Sequence, residues 1–231
     1  PNKVLEKIND KSIIQFLLER LSLSKKINQI VAAIPENSDN NKLKKHISEL
    51  NFEVFAGDEN DVLSRYYKAA LKFKSDIVIR ITGDCPLVDP FMLDSMIDEF
   101  IKYKIDYSSN TLPPHFPDGL DIEIFNFSSL KETYLNAKTN YQREHVTPYM
   151  RENNFFKKIN YIDENNFSNY RITLDEPKDL EVIKNILLHF YPNNDFQWKD
   201  IQSLILKKPD LFIDNIDIKR NEGAKMNKGQ K

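Results

Sequence analysis

Two short stretches place carboxylates where an α/β protein keeps its chemistry. Ile77-Val78-Ile79-Arg80-Ile81-Thr82-Gly83-Asp84-Cys85-Pro86 is an apolar, β-branched run that ends in Thr-Gly-Asp and breaks at a proline. Such a run reads as a buried strand with Asp84 at its carboxyl end and Gly83 leaving room for a ligand near the backbone. Leu174-Asp175-Glu176-Pro177 repeats the arrangement: apolar residues, an aspartate, then a proline that opens a helix. If the two strands are parallel neighbours, Asp84 and Asp175 meet at one edge of the sheet. Two carboxylates with open water positions suit Mg2+, which is usually shared with substrate phosphates. The plainer alternatives are a turn before a helix for Gly83-Asp84 and a helix cap for Asp175.

Other ionisable groups are less decisive. Leu120-Asp121-Ile122-Glu123-Ile124-Phe125 alternates strictly, which predicts a half-exposed strand with Asp121 and Glu123 about 7 Å apart on one side. That pair could bind sugar hydroxyls or a metal, or simply face water. Arg143, Glu144 and His145 are consecutive. At helical spacing they do not share a face, so at most two can point into one site, and a solvated helix surface explains them equally. His46, His115 and His189 have no ligand spacing with the cysteine or one another, which argues against zinc. No Gly-x-Ser-x-Gly or Gly-x-x-x-x-Gly-Lys pattern occurs, which lowers the serine hydrolase and P-loop readings.

The elements that must position these groups alternate. Residues 11–23 carry apolar positions at helical spacing behind Ser12 as a cap. A strand follows over 30–34, a helix over 39–50, a strand over 53–55 and a helix over 61–74. The strand ending before Asp84 leads to a helix over 91–103, with Asp89 as N-cap and Pro90 at its first position. This rhythm predicts a parallel sheet with right-handed crossovers and helices on both faces. Pro113, Pro114, Pro117 and Asp118-Gly119 then mark a loop and turn. Beyond the 120–125 strand come a helix over 128–137, a helical segment over 141–150 kinked at Pro148, and strands near 157–162 and 170–174. Helices end the pattern over 177–190 and 198–206. The expected division is a main domain over 1–190, a helical extension over 191–216 and a disordered tail or linker over 217–231.

Composition bounds the reading. The 231 residues are 40% hydrophobic and 29% charged, enough for a packed core under a well-solvated surface. A net charge of −2 argues against a nucleic-acid binder held by phosphate neutralisation. No apolar run reaches the roughly 18–20 residues that span a bilayer, so no membrane partner is expected. The single cysteine, Cys85, excludes an internal disulfide and fits a reducing, cytoplasmic setting.

Four stretches in order, ITGDCPLVDP, GLDIEIF, REHVTPYM and ITLDEPKDLEVI, together with VFAGDENDVLSRYYKAA, resemble a known family. They are similar to the cytidylyltransferases of the spore-coat polysaccharide biosynthesis protein F type, relatives of the CMP-ketodeoxyoctonate and CMP-acylneuraminate synthetases. The resemblance covers nearly all of residues 1–190. It implies a Rossmann-like, glycosyltransferase-A-like three-layer α/β sandwich with a mostly parallel sheet and a small β insertion. It implies transfer of CMP from CTP to a sugar acid or sugar phosphate, giving a nucleotide-sugar and pyrophosphate for surface polysaccharide. By the same resemblance, Asp84 and Asp175 match the family's Mg2+ carboxylates. Lys3, Arg65 and Gly83 join Asp84 on the nucleotide side, with Lys3 contacting phosphate. Asp118, Asp121, Glu123, Arg143, Glu144 and His145 line the acceptor side. A homodimer and a fused C-terminal aminotransferase domain of the pyridoxal-phosphate type occur among such relatives.

The resemblance also shows a departure. Family members open with a strand and a loop resembling Gln-Ala-Arg-x-x-Ser-x-Arg-Leu-Pro-x-Lys, of which Pro1-Asn2-Lys3 looks like the last three residues. The expectation is therefore a chain short of its first strand and phosphate loop, with weak or no activity. Two other readings stand beside the transferase. One is a nucleotide-sugar-dependent glycosyltransferase with Asp121-Ile122-Glu123 as its acidic metal motif. The other is a non-catalytic remnant module.

Overall fold

Ser12 caps the first helix as its position predicts: its side-chain oxygen accepts from the Gln15 N–H at 3.2 Å, and α1 runs Ile13–Leu21. In this computed structural model, which describes residues 3–220, a short hairpin of β1 (Lys7–Ile8) and β2 (Lys11–Ser12) leads into that helix. Then come β3 (Val31–Pro35), α2 (Asn41–Glu49), β4 (Glu53–Gly57), α3 (Val62–Lys72), β5 (Ile77–Arg80) and α4 (Pro90–Lys102). The predicted alternation holds through this half. Asp61 caps α3 through the Ser64 N–H, and Asp89 caps α4 through the Phe91 and Met92 N–H groups.

The second half is β6 (Tyr107–Ser109), β7 (Glu123–Asn126), α5 (Phe127–Asn136), α6 (Asn140–His145), α7 (Pro148–Glu152), β8 (Lys158–Asn160), α8 (Pro177–Phe190) and α9 (Trp198–Lys207). Strands β3 and β4 pair in parallel. The other sheet has the order β5-β7-β6-β8, with β7 antiparallel to both neighbours and β8 parallel to β6. Helices cover both faces, so side chains on both sides of β7 are buried. Ile122 and Ile124 join the main core with α1, α4, α8 and α9. Phe125 joins a smaller cluster with Tyr107, Leu63, Leu130, Val146 and Met150.

Several expectations are corrected. The segment around 120–125 is not half-exposed: the strand proper is 123–126, and Glu123 is 3% exposed because α7 and Tyr107 cover its face. No strand forms over 170–174; a single bridge joins Asp118 to Arg171. The 141–150 segment splits into α6 and α7 at Val146, whose φ of 69° is unusual for a β-branched residue. Strand β6 carried no periodic signal because all three of its residues are buried. Asp175 is not the cap of α8, which starts from Glu176 in a capping box with Asp179.

The C-terminal helices pack into the same core as the sheet, through Trp198, Ile201, Leu204 and Ile205. Arg20 on α1, fully buried, ties them to the loop beyond Asp84. Its guanidinium donates to the carbonyls of Val88 (3.0 Å), Asn194 (2.8 Å) and Phe196 (3.0 Å). Burial holds its pKa down to about 10, against the pull of Asp89 and Asp195. The tail expected from residue 217 is described as far as Arg220, which is anchored to Asp121 and to the Phe116 carbonyl. Residues 221–231 of that expected tail lie outside the described residues.

Candidate active site

Asp84 lies four residues past the end of β5, in the turn that Thr82 and Pro86 shape. Its backbone carbonyl accepts from the Leu174 N–H (2.8 Å) and from Thr173 Oγ1 (3.1 Å). That link makes the Asp84 and Asp175 segments neighbours although no strand forms at 170–174. Thr82 Oγ1 hydrogen-bonds an Asp84 carboxylate oxygen. Gly83 is exposed, and a Cβ there would meet only Val4, at 4.0 Å. Lys3 Nζ sits 2.9 Å from Asp175 Oδ1 in an exposed ion pair. Cys85 is buried and its thiol pKa is pushed up by burial and then by Asp84 and Asp121, so it is no nucleophile.

Arg171 organises the acidic side. It grips Asp179 with two donors, Nε to Oδ1 at 2.8 Å and Nη2 to Oδ2 at 2.9 Å. It also reaches Asp118 at 2.8 Å and Asp175 at 3.0 Å. Asp179 in turn accepts from the Asp175 and Glu176 N–H groups and from Asn215. Gly119 lets the Asp118 turn press on this segment. It has φ +110°, and a Cβ would come within 2.5 Å of the Ile172 carbonyl carbon. Burial raises the Asp118 pKa to about 6 against Arg220 and Arg171. Asp121 is paired with Arg220.

Glu123 belongs to a different network. Strand pairing sets Arg80 opposite it. Arg80 Nη1 donates to Oε2 at 2.7 Å, while Arg151 Nη2 (2.9 Å), Tyr107 Oη (2.6 Å) and Thr147 Oγ1 (2.7 Å) donate to Oε1. Burial alone would raise its pKa, but Arg80 and Arg151 hold it down to about 2. The strained Val146 ends α6 and delivers Thr147 to this carboxylate. A buried carboxylate held by two arginines is no open metal ligand, which removes the acidic motif of the glycosyltransferase reading.

Arg143 is committed elsewhere. Its Nε and Nη2 donate to Asp61 Oδ2 at 2.9 and 2.6 Å, and its Nη1 donates to the Tyr134 and Ala137 carbonyls. It therefore clamps α6 to the start of α3 instead of presenting its guanidinium to an acceptor. Glu144 is exposed, and His145 packs against Tyr141 with ring centroids 4.6 Å apart. Arg65 is buried on α3 and donates to the carbonyls of Asp58 and Glu59. A cleft of about 300 Å³ lined by Leu21, Ser22, Phe52 and Glu53 includes none of these groups.

Residues 1–202 match the cytidylyltransferase family. The chain belongs to that family. It is similar to a cytidylyltransferase of Leptospira borgpetersenii serovar Hardjo-bovis (strain JB197), with a TM-score of 0.88 and 34% identity over 92% of this chain and 90% of that one. An uncharacterized protein of Methanocaldococcus jannaschii is 37% identical over 82% of this chain and 78% of its own length. Spore coat polysaccharide biosynthesis protein SpsF of Bacillus subtilis (strain 168) is 28% identical over 91% of this chain and 90% of its own. An 8-amino-3,8-dideoxy-manno-octulosonate cytidylyltransferase of Shewanella sp. (strain W3-18-1) is 28% identical over 53% of this chain and 51% of its own. No helix among the described residues is long and apolar enough to cross a membrane.

A cytidylyltransferase handles a triphosphate, which raises the question of a divalent cation. Among the described residues, no three His, Cys, Asp or Glu side chains converge as a metal cage. Mg2+ asks for less, since it keeps several waters and binds through one or two carboxylates plus phosphate oxygens. Asp84 and Asp175 fit that donor chemistry, and a cation, the Lys3 ammonium, already rests on Asp175.

Sequence reasoning missed Arg80, Arg151, Arg171 and Thr147. For Arg80 and Arg171 a signal existed, a lone arginine inside an apolar run (IVIRIT and YRITL). A charge there must find a buried partner. Arg151 and Thr147 carried none.

Proposed function

We propose that this cytidylyltransferase-family chain transfers CMP from CTP to the hydroxyl of a sugar acid, with release of pyrophosphate, for surface polysaccharide. The observation that carries this reading is the pairing of the Asp84 and Asp175 segments through the Leu174 N–H and the Asp84 carbonyl. It supports one place where a cation and phosphate oxygens can be held. The similarity to the Shewanella 8-amino-3,8-dideoxy-manno-octulosonate cytidylyltransferase supports a sugar acid as acceptor.

In the proposed reaction the acceptor hydroxyl oxygen attacks the α-phosphorus and gives up its proton to solvent, while the bond to the bridging oxygen of the leaving pyrophosphate breaks. Such transfers depend on positioning and charge neutralisation more than on covalent help. Asp84 and Asp175 would hold Mg2+, which when bound supplies neutralisation of the phosphate charge. Lys3 would place its ammonium against phosphate on the Asp175 side. Gly83, with open space where a side chain would stand, lets the nucleotide approach the backbone. Asp118 and Asp121 remain proposed for the acceptor side, since both lie by the Asp84 turn and affect the Cys85 thiol. Glu144 and His145 would line the edge of that side. The proposed setting is cytoplasmic, supported by a single buried cysteine.

The test is pyrophosphate release from CTP and Mg2+ with a panel of sugar acids and sugar phosphates. Release that requires a sugar acid supports the proposal. No release with any acceptor, together with no CTP-dependent rise in thermal midpoint, defeats it and favours a non-catalytic module.

A further inference from the structure

Next to Asp84, on the β5–β7 side, two arginines hold buried N–H groups that no acceptor among the described residues reaches. Arg65 is 8% exposed. No carboxylate accepts from it: Nη1 donates only to two backbone carbonyls, and its Nε–H is buried with no partner among the described residues. Arg80 gives Nη1 to Glu123, and its Nε–H is likewise buried with no partner among the described residues. The Tyr66 ring centroid is 5.9 Å from the Arg80 guanidinium carbon. Burial raises the pKa of the Tyr66 phenol, and the charges of Arg80, Glu123, Arg65 and Asp84 all act on it. Arg151 is a second guanidinium on the single carboxylate of Glu123.

Buried guanidinium N–H groups without acceptors are unfavourable, and like charges held together add to the cost. An anion that accepts from both removes both penalties, and the planar fork of arginine suits a carboxylate or phosphate. We propose that Arg65 and Arg80 form an anion subsite of the transferase centre, and that Glu123, with Arg151 behind it, is the positioning residue that aims Arg80. Glu123 then acts through Arg80 and does not touch the acceptor sugar. The ligand's identity rests on the transferase reading. The shared chemistry is an oxyanion, supplied either by the triphosphate of CTP or by the carboxylate of the acceptor.

The experiment titrates the full chain, with Mg2+, against CTP, 8-amino-3,8-dideoxy-manno-octulosonate and inorganic pyrophosphate. The variants are Arg65→Met, Arg80→Lys, the double variant Arg80→Met with Glu123→Gln, and Glu123→Gln and Glu123→Asp alone. Arg65→Met unpairs no carboxylate, whereas the double variant takes Glu123 from Arg151, so every titration is run below the unfolding midpoint measured for that variant. In Arg65→Met and in the double variant, affinity for at least one ligand falls tenfold or more, with Arg80→Lys between them and the wild type. A loss for CTP assigns the triphosphate, and a loss for the sugar acid assigns its carboxylate. Glu123→Gln weakens the same ligand and Glu123→Asp restores part of it, which a merely structural glutamate would not do. The thermal midpoint of ligand-free Arg65→Met changes little, because removing a desolvated cation offsets the loss of its bonds to the Asp58 and Glu59 carbonyls. The subsite is overturned if the variants bind all three ligands within twofold of the wild type, or if the wild type binds none. A wild type that binds pyrophosphate through these arginines, but neither CTP nor the sugar acid, upholds the subsite and defeats the transferase reading.

Discussion

Around Arg171 three aspartates share one guanidinium, whereas around Glu123 two guanidiniums share one carboxylate. Both networks are buried at their centres and both border the Asp84 turn. In the first, the Nε and both terminal nitrogens of the arginine have acceptors, and Lys3 on Asp175 and Arg220 beside Asp118 supply the further positive charge. In the second, the four acceptor contacts of Glu123 are filled, but the Arg80 Nε–H is not, and the surplus is positive. The contrast teaches how one centre can serve opposite charges. A cation is welcome where carboxylates outnumber their arginine, and an anion where arginines outnumber their carboxylate.

The comparison breaks most readily at Arg171. Arg171→Met strands the fully buried Asp179 and should cost about 3–5 kcal/mol, read as a fall in urea stability at pH 7. A loss under about 1 kcal/mol would mean that Arg171 is not the hub of a buried network.

Glu123 gives the next largest effect and a pH signature. Its folded pKa of about 2 lies below the ordinary 4.5, so its stabilisation is complete above pH 4.5 and is lost as pH falls through about 2. Glu123→Gln should be less stable than the wild type by about 3 kcal/mol at pH 7, from the size of that shift. The gap should close between pH 4.5 and 2. A gap of constant size across that range would separate the stability loss from the carboxylate's charge.

Asp84→Asn sharpens the functional half of the contrast. Pyrophosphate release should fall by about 100-fold or more, while urea stability stays within about 0.5 kcal/mol, since the residue is a half-exposed turn carboxylate. An active Asp84→Asn enzyme would take the chemistry away from this turn. The smallest effect belongs to the exposed Lys3–Asp175 pair. Lys3→Ala should cost at most about 1 kcal/mol of stability, declining with salt. A larger loss would make Lys3 a structural anchor.

Much of the first half was legible because local signals agreed with one another. Ser12, Asp61 and Asp89 stand where helix starts need caps, and the apolar runs between them have strand length. Asp84 could be singled out because a polar turn after a buried run has few structural uses. The second half was less legible because β7 is buried on both faces. The alternation of Asp121 and Glu123 with isoleucines promised a wet face, yet α7 covers it and two arginines neutralise Glu123. Arg143 looked like acceptor chemistry, but its partner, Asp61, lies 82 positions away.

The sequence by itself determined the α/β alternation, the caps, the Asp84 turn and, through five ordered stretches, the family resemblance. These follow from local stereochemistry and from residue order, which need no knowledge of distant contacts. Only the tertiary structure decided the charge balance of the centre. Arg80 meets Glu123 across 43 positions, and Arg171 meets Asp118 across 53. The worth of a buried charge depends on which partner the fold brings within hydrogen-bonding distance, and no local pattern carries that information.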